Sequence, residues 1–141
     1  MLKAIKKEDG QAMAEFALVF PILILVVCGI IDFGWMFFNQ LTLQNATNVA
    51  ARSGVVSYDY NGGDKTKLTK QISQTVENNL INGMDDNLNV DVNFSNPGEP
   101  LNGNLELNVT TEIKFLTPFM GSILRKNTWE LSASTVMRME S

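Results

Sequence analysis

The stretch from Gly10 to Gln40, GQAMAEFALVFPILILVVCGIIDFGWMFFNQ, decides the architecture of this 141-residue chain. It carries no charged side chain from Phe16 to Ile31. As a helix this run is about 24 Å long, slightly shorter than the roughly 30 Å hydrocarbon core of a bilayer. The aromatic cluster that follows, Phe33 to Phe38, is typical of a membrane interface. The sequence therefore predicts a membrane-spanning helix from about Ala12 to Phe38.

The residues before this helix indicate its orientation. Lys3, Lys6 and Lys7 precede the apolar run, and positively charged flanks favour the cytoplasmic side of a membrane. A single pass in the cytoplasmic (inner) membrane would place the N-terminus in the cytoplasm and residues 57–141 outside it. A cleaved secretory signal is the rival interpretation, but the small-x-small cleavage motif expected after the apolar core is missing.

Helical character continues beyond the predicted span. Small and apolar residues recur as far as Ser53, and Gly54 is a plausible C-terminal stop. The first helix is therefore predicted from Gln11 to Ser53. Pro21 lies inside it and removes one backbone hydrogen bond, which predicts a kink or local loosening.

The remainder of the chain predicts a small α+β domain. Asp64 is placed to cap a second helix that ends near Gly83. The apolar residues of that helix recur every four positions, and the later segments alternate apolar and polar residues as strands do. These positions are Leu68, Ile72, Val76 and Leu80 for the helix, Leu88 to Phe94, Leu105 to Phe115 and Trp129 to Met137 for the strands. The predicted organisation is a leader at 1–10, a long helix at 11–56, and at 57–141 an extracytoplasmic domain with three antiparallel strands.

Composition argues against several classes of function. The net charge is -4, with 11 basic and 15 acidic residues and no basic stripe, so nucleic acid is not an expected partner. The chain has no histidine, which excludes imidazole catalysis and histidine-ligated metals. Its one cysteine, Cys28, lies in the apolar run. The nearest carboxylate pairs, Asp85 with Asp86 and Glu106 with Glu112, are interpreted as solvated acids. We expect no enzyme activity, cofactor, metal or small-molecule substrate.

Several features of the N-terminal third resemble the TadE-like family of the tight adherence (Tad, or Flp) pilus apparatus. These features are Glu15 followed by Phe16, Pro21 within the apolar run, the segment GIIDFG at 29–34, and the small residues Ala46, Ala50, Ala51 and Gly54 around Arg52. The resemblance implies cleavage of a leader by a prepilin peptidase after Gly10, which would leave Gln11 as the first residue. It also implies a pilin-like fold with a long N-terminal helix.

The resemblance further implies a minor pilin-like structural subunit, or pseudopilin, that supports assembly of a type IV-like pilus and surface adhesion. Its expected partners are other pilin-like subunits, the pilus assembly machinery, prepilin peptidase and membrane lipid. The alternative is a single-pass anchored binding or adhesin domain that never assembles into a pilus.

Four residues are candidates for roles in assembly: Glu15, Phe16, Pro21 and Asp32. Both acids lie in apolar surroundings, where an unpaired carboxylate is costly. Glu15 would pair with the amine of a neighbouring subunit, or would only suit the positive end of its own helix. Asp32 would take part in assembly, or would only mark the outer boundary of the span.

The connection before the last strand carries several large apolar residues, Phe119, Met120, Ile123 and Leu124. One interpretation is that they cover the domain core against the long helix. The other is a docking patch for a second pilin-like protein, because exposed apolar patches often mark interaction sites.

Overall fold

The long N-terminal helix, α1 (Lys7–Ser57), contains 51 residues, which corresponds to about 77 Å. The computed structural model describes residues 7–58, 64–80, 84, 87–96, 98–99 and 102–139. α1 passes through Pro21 without an interruption of the helix. The predicted end at Ser53 is wrong, because Gly54 lies inside the helix. A Cβ added to Gly54 would lie 2.7 Å from Ile72 Cδ1, so this glycine allows close packing of a second helix.

That second helix, α2 (Lys65–Asn79), begins at the predicted cap. The Asp64 carboxylate accepts hydrogen bonds from the backbone N–H groups of Thr66 at 2.9 Å and Lys67 at 3.4 Å. The buried residues of α2 are Leu68, Ile72 and Val76, as their four-residue spacing predicts. The helix ends earlier than expected, and Gly83 lies outside the described residues.

Among the described residues, three strands form one antiparallel sheet: β1 (Asn89–Phe94), β2 (Asn104–Lys114) and β3 (Thr128–Arg138), in the order β1-β2-β3. Alternate residues of β2 are buried, because one face of the sheet covers the core and the other faces solvent. The register places apolar residues opposite each other, for example Val92 and Leu107. The predicted α+β class, with a second helix and a three-stranded antiparallel sheet, is confirmed.

The core lies between the second half of α1, α2 and the inner face of the sheet. α1 contributes Leu43 and small residues that allow close approach, and α2 and β2 contribute larger apolar side chains. The fully or almost fully buried members are Leu43, Ala46, Ala50, Ala51, Leu68, Ile72, Val76, Leu105, Leu107 and Val109. The first half of α1 takes no part in this core.

Two hydrogen bonds show how the sheet lies along α1. The Gln40 side chain donates to the Ser132 carbonyl at 2.7 Å, and the Gln44 side chain donates to the Ser134 carbonyl at 3.3 Å. Four residues of helix and two residues of strand each advance by about 6 to 7 Å. β3 therefore runs in the same direction as α1, and its first residues lie toward the apolar end of the helix.

A short helix, α3 (Pro118–Leu124), lies between β2 and β3. The sequence predicted a connection without a helix there. Thr117 is its N-cap residue and Pro118 is in its first turn, which is the position where proline fits a helix best. Arg125 closes α3 in the left-handed conformation, with φ of 53°. The Thr-Pro pair was the sequence signal that could have revealed this helix.

Candidate assembly surface and the Asp32 anchor

The first half of α1 presents an apolar surface that its own chain leaves uncovered. Between Gly10 and Phe38 Asp32 is the only buried residue. Large side chains along this segment are exposed, including Leu18 at 75% and Ile30 at 67%. Within the described part of the chain, α1 is the one helix long and apolar enough to cross a membrane. Such a surface is typical of a helix that lipid or another apolar helix covers.

Three of the predicted assembly residues lie on this surface. Glu15 is exposed and forms no ion pair with a described residue. Phe16 is 63% exposed, and its ring centroid lies 5.2 Å from that of Phe20. Pro21 is also exposed. Their predicted roles need a partner outside the chain and stay predictions.

The predicted cleavage position is accessible along α1. Gly10 and Gln11 are exposed, and the helix continues through both residues. A Cβ added at Gly10 would meet no heavy atom within 4 Å. Alanine therefore fits there without a steric clash, so a Gly10→Ala variant tests whether the predicted cleavage requires glycine at this position.

Asp32 occupies a different environment from the other three. Its side chain is 2% exposed although the residues around it face outward. Asp32 Oδ1 accepts hydrogen bonds from the backbone N–H groups of Leu116 at 3.0 Å and Thr117 at 2.9 Å. Asp32 Oδ2 accepts a third hydrogen bond from the Thr117 hydroxyl. We call this set of contacts the Asp32 anchor.

The Asp32 anchor joins α1 to the connection before α3. Hydrogen bonds to an ionised carboxylate are among the stronger ones in proteins, and they offset the cost of burying the charge. The Thr117 hydroxyl donates to Asp32 and makes no capping bond within α3. The anchor thus holds the residues that directly follow β2 against α1. Any role of Asp32 in assembly stays a prediction.

The patch predicted for a partner is exposed. α3 contains no buried residue, and Phe119, Ile123 and Leu124 are 45%, 58% and 43% exposed. Met120 is partly buried. These residues are not themselves buried in the core, and the interpretation that they cover it against α1 stays a prediction. The docking interpretation remains a prediction.

Of the carboxylates considered as pairs in the sequence, Glu106 and Glu112 lie among the described residues. Glu106 and Glu112 are both exposed on β2, and Glu112 lies opposite Glu130 of β3. Asp85 and Asp86 lie outside the described residues. Among the residues that the structure describes, no group of histidine, cysteine and acidic side chains is arranged to hold a metal ion.

Comparison with known proteins supports the resemblance found in the sequence. Residues 10–52 match the family model described as TadE-like protein. The match covers α1 from the predicted cleavage position to Arg52 and ends before α2 and the sheet. No curated protein and no solved structure matches the chain. The resemblance is thereby confirmed over this segment, and it indicates a protein associated with the Tad pilus.

Proposed function

Because residues 10–52 form a TadE-like segment, we propose that this chain is a minor pilin-like structural subunit of the Tad pilus apparatus. One observation carries the proposal: the segment that matches the family is also the helix whose apolar surface the chain leaves uncovered. Such a helix is built to pack against lipid first and against other apolar helices on assembly. The role is structural, and it supports adhesion to surfaces.

The proposed partners follow from the same helix. Other pilin-like subunits and the assembly machinery would contact the exposed residues of α1, and prepilin peptidase would act at Gly10. The domain formed by α2 and the sheet would be carried outside the cytoplasm. A single-pass anchored adhesin would have the same domain and the same span, but no use for cleavage or for contacts between helices.

Leader processing separates these two functions. In cells that contain a prepilin peptidase, we expect the mature protein to begin at Gln11 and the Gly10→Ala variant to keep its full length. Gly34→Ala is the matched control, because a Cβ added there also meets no heavy atom within 4 Å. N-terminal sequencing and intact-mass measurement of protein from native membranes identify the first residue and the length of the wild-type chain and of each variant. An uncut wild-type chain would favour the anchored adhesin.

Topology provides a second test of the proposal. Lysines precede the apolar run, so we expect residues 57–141 outside the cytoplasm in the inner membrane. Reporter fusions near Gly62 and at Ser141 should be active only with reporters that function outside the cytoplasm. Activity of a cytoplasm-specific reporter at both positions would contradict the proposed orientation.

A further inference from the structure

The β2–β3 connection lies level with the outer end of the apolar run. The Asp32 anchor holds Leu116 and Thr117 beside Asp32, which is the first charged residue after the run. The sheet gives an independent estimate of this position along the axis of α1, because Ser132 lies beside Gln40. Thr128 is four residues earlier, or about 13 Å back along the strand, a distance covered by about nine helical residues. Thr128 is therefore level with Ile31.

The surface at this level is apolar. Leu116, Phe119, Ile123, Leu124 and Trp129 are each between 43% and 58% exposed. We call these five residues the interfacial patch. It comes from the end of β2, from α3 and from the start of β3, and it lies on the end of the domain that faces the span. A tryptophan and a phenylalanine in such a patch suit the boundary between headgroups and acyl chains.

Basic residues flank the interfacial patch. Lys114, Arg125 and Lys126 are exposed, and none of them forms an ion pair with a described residue. A groove beside α3 is lined by Lys114, Arg125 and the polar side chains of Thr117, Ser122 and Asn127. Three acids lie in the same region: Glu112 and Glu130, which are opposite each other on β2 and β3, and Asp32, whose carboxylate is buried in the Asp32 anchor. The exposed cations next to α3 thus outnumber the two exposed acids, although the whole chain is acidic.

We propose that the interfacial patch is a second membrane-binding element, which inserts α3 into the outer surface of the bilayer while Lys114, Arg125 and Lys126 bind anionic phospholipid headgroups. Apolar side chains with flanking cations are the combination that binds a membrane surface. Along the axis of α1, the patch lies next to the surface that is proposed to face lipid. This position favours lipid over a protein as the molecule that covers the patch. The inference rests on the membrane-spanning position of α1 in the proposed function.

The consequence is a fixed orientation of the domain relative to the membrane. The Asp32 anchor and the inserted patch would hold the sheet close to the bilayer until the subunit leaves the membrane. Contacts with a second protein through the same residues would then become available only after extraction from lipid.

Depth-dependent fluorescence quenching in reconstituted bilayers tests this inference. The full-length chain carries Cys28→Ser and one new cysteine bearing an environment-sensitive fluorophore, and the lipids carry bromine at a known depth. A label at Ile123→Cys should be quenched by bromine placed near the headgroups. Val136→Cys is the matched control, because Val136 is also exposed on β3 but lies about 23 Å from Trp129 of the patch along the strand.

A third label separates failure of this inference from failure of the proposed function. Ile24→Cys lies in the apolar run and should be quenched by bromine near the bilayer centre whenever α1 spans the membrane. Quenching at position 24 with position 123 no more quenched than position 136 would overturn the inference alone. Capture of a pilin-like protein that Phe119→Asp abolishes, with no quenching at 123, would assign the patch to a protein partner instead.

The basic residues are tested in the same system. Quenching at position 123 should be stronger in bilayers containing phosphatidylglycerol than in phosphatidylcholine alone. The double variant Arg125→Gln with Lys126→Gln should lose this difference, whereas Lys67→Gln with Lys70→Gln on α2 should keep it. Equal quenching in both lipids for the unmodified sequence would contradict binding of anionic headgroups.

Discussion

Replacement of Glu15 with glutamine is expected to leave membrane insertion and leader cleavage intact and to lower incorporation into the pilus complex at least about tenfold. The proposed cleavage after Gly10 would create an amino group on Gln11, about one helical turn from Glu15. The structure offers Glu15 no ion pair among the described residues. Its carboxylate is therefore available to the amine of a neighbouring subunit when helices pack with an axial offset.

The size of this effect follows from the apolar surroundings. An ionised group left unpaired in such a setting costs several kcal/mol, and each 1.4 kcal/mol corresponds to about tenfold in an equilibrium. We therefore expect the proposed pair to act by penalising wrong registers between helices. A carboxylate that only suits the positive end of its own helix contributes about 0.3 to 1 kcal/mol, which would have a mild effect.

The Glu15→Gln experiment compares strains for surface pili and for cross-links between the subunit and its partners. Glu106→Gln is the control, because Glu106 is an exposed acid on the sheet opposite Val136, and its replacement removes the same charge away from the span. Normal piliation and normal cross-linking in the Glu15→Gln strain would leave the helix-end explanation in place and remove support for register selection.

Replacement of Asp32 with alanine is expected to destabilise the folded domain by about 2 to 5 kcal/mol. The substitution removes three acceptor contacts and leaves the N–H groups of Leu116 and Thr117 without their partner. Asparagine keeps an oxygen for the two N–H groups, and the Thr117 hydroxyl can rotate to accept from its amide. Asp32→Asn should therefore cost only about 1 kcal/mol.

Urea unfolding of the full-length chain in detergent micelles, followed by near-ultraviolet circular dichroism, measures these costs. Glu106→Ala is the control, since Glu106 is an exposed acid on β2. An Asp32→Ala midpoint equal to that of the control would show that the anchor adds nothing to stability. A loss of assembly in Asp32→Asn with unchanged stability would instead support the direct role in assembly predicted for this residue.

Most of the fold could be predicted because its signals are local. The four-residue spacing in α2 and the alternation in the strands each report which side of one element meets the core. Gly54 was misread because the sequence does not distinguish a helix-ending glycine from one that admits Ile72. α3 was missed because its apolar residues suggested a covered connection, and the Thr117–Pro118 start was given no weight.

The candidate site was predicted only in part, for a related reason. Glu15 and the apolar surface of α1 are visible in the sequence because charge and hydropathy are properties of the residues themselves. The Asp32 anchor depends on Leu116 and Thr117, which lie 84 and 85 positions further along the chain. No local pattern reports a contact over that separation, so burial of the Asp32 carboxylate became apparent only in three dimensions.

The central claim is that the exposed half of α1 assembles with other apolar helices, and cross-linking along that helix in native cells tests it most directly. A photoreactive amino acid replaces Leu18 or Ile30, which are 75% and 67% exposed, in cells that produce pili. We predict adducts between this chain and other pilin-like subunits, and their loss in the Glu15→Gln background. Adducts with lipid alone at both positions would contradict the claim and would identify α1 as a membrane anchor that does not assemble.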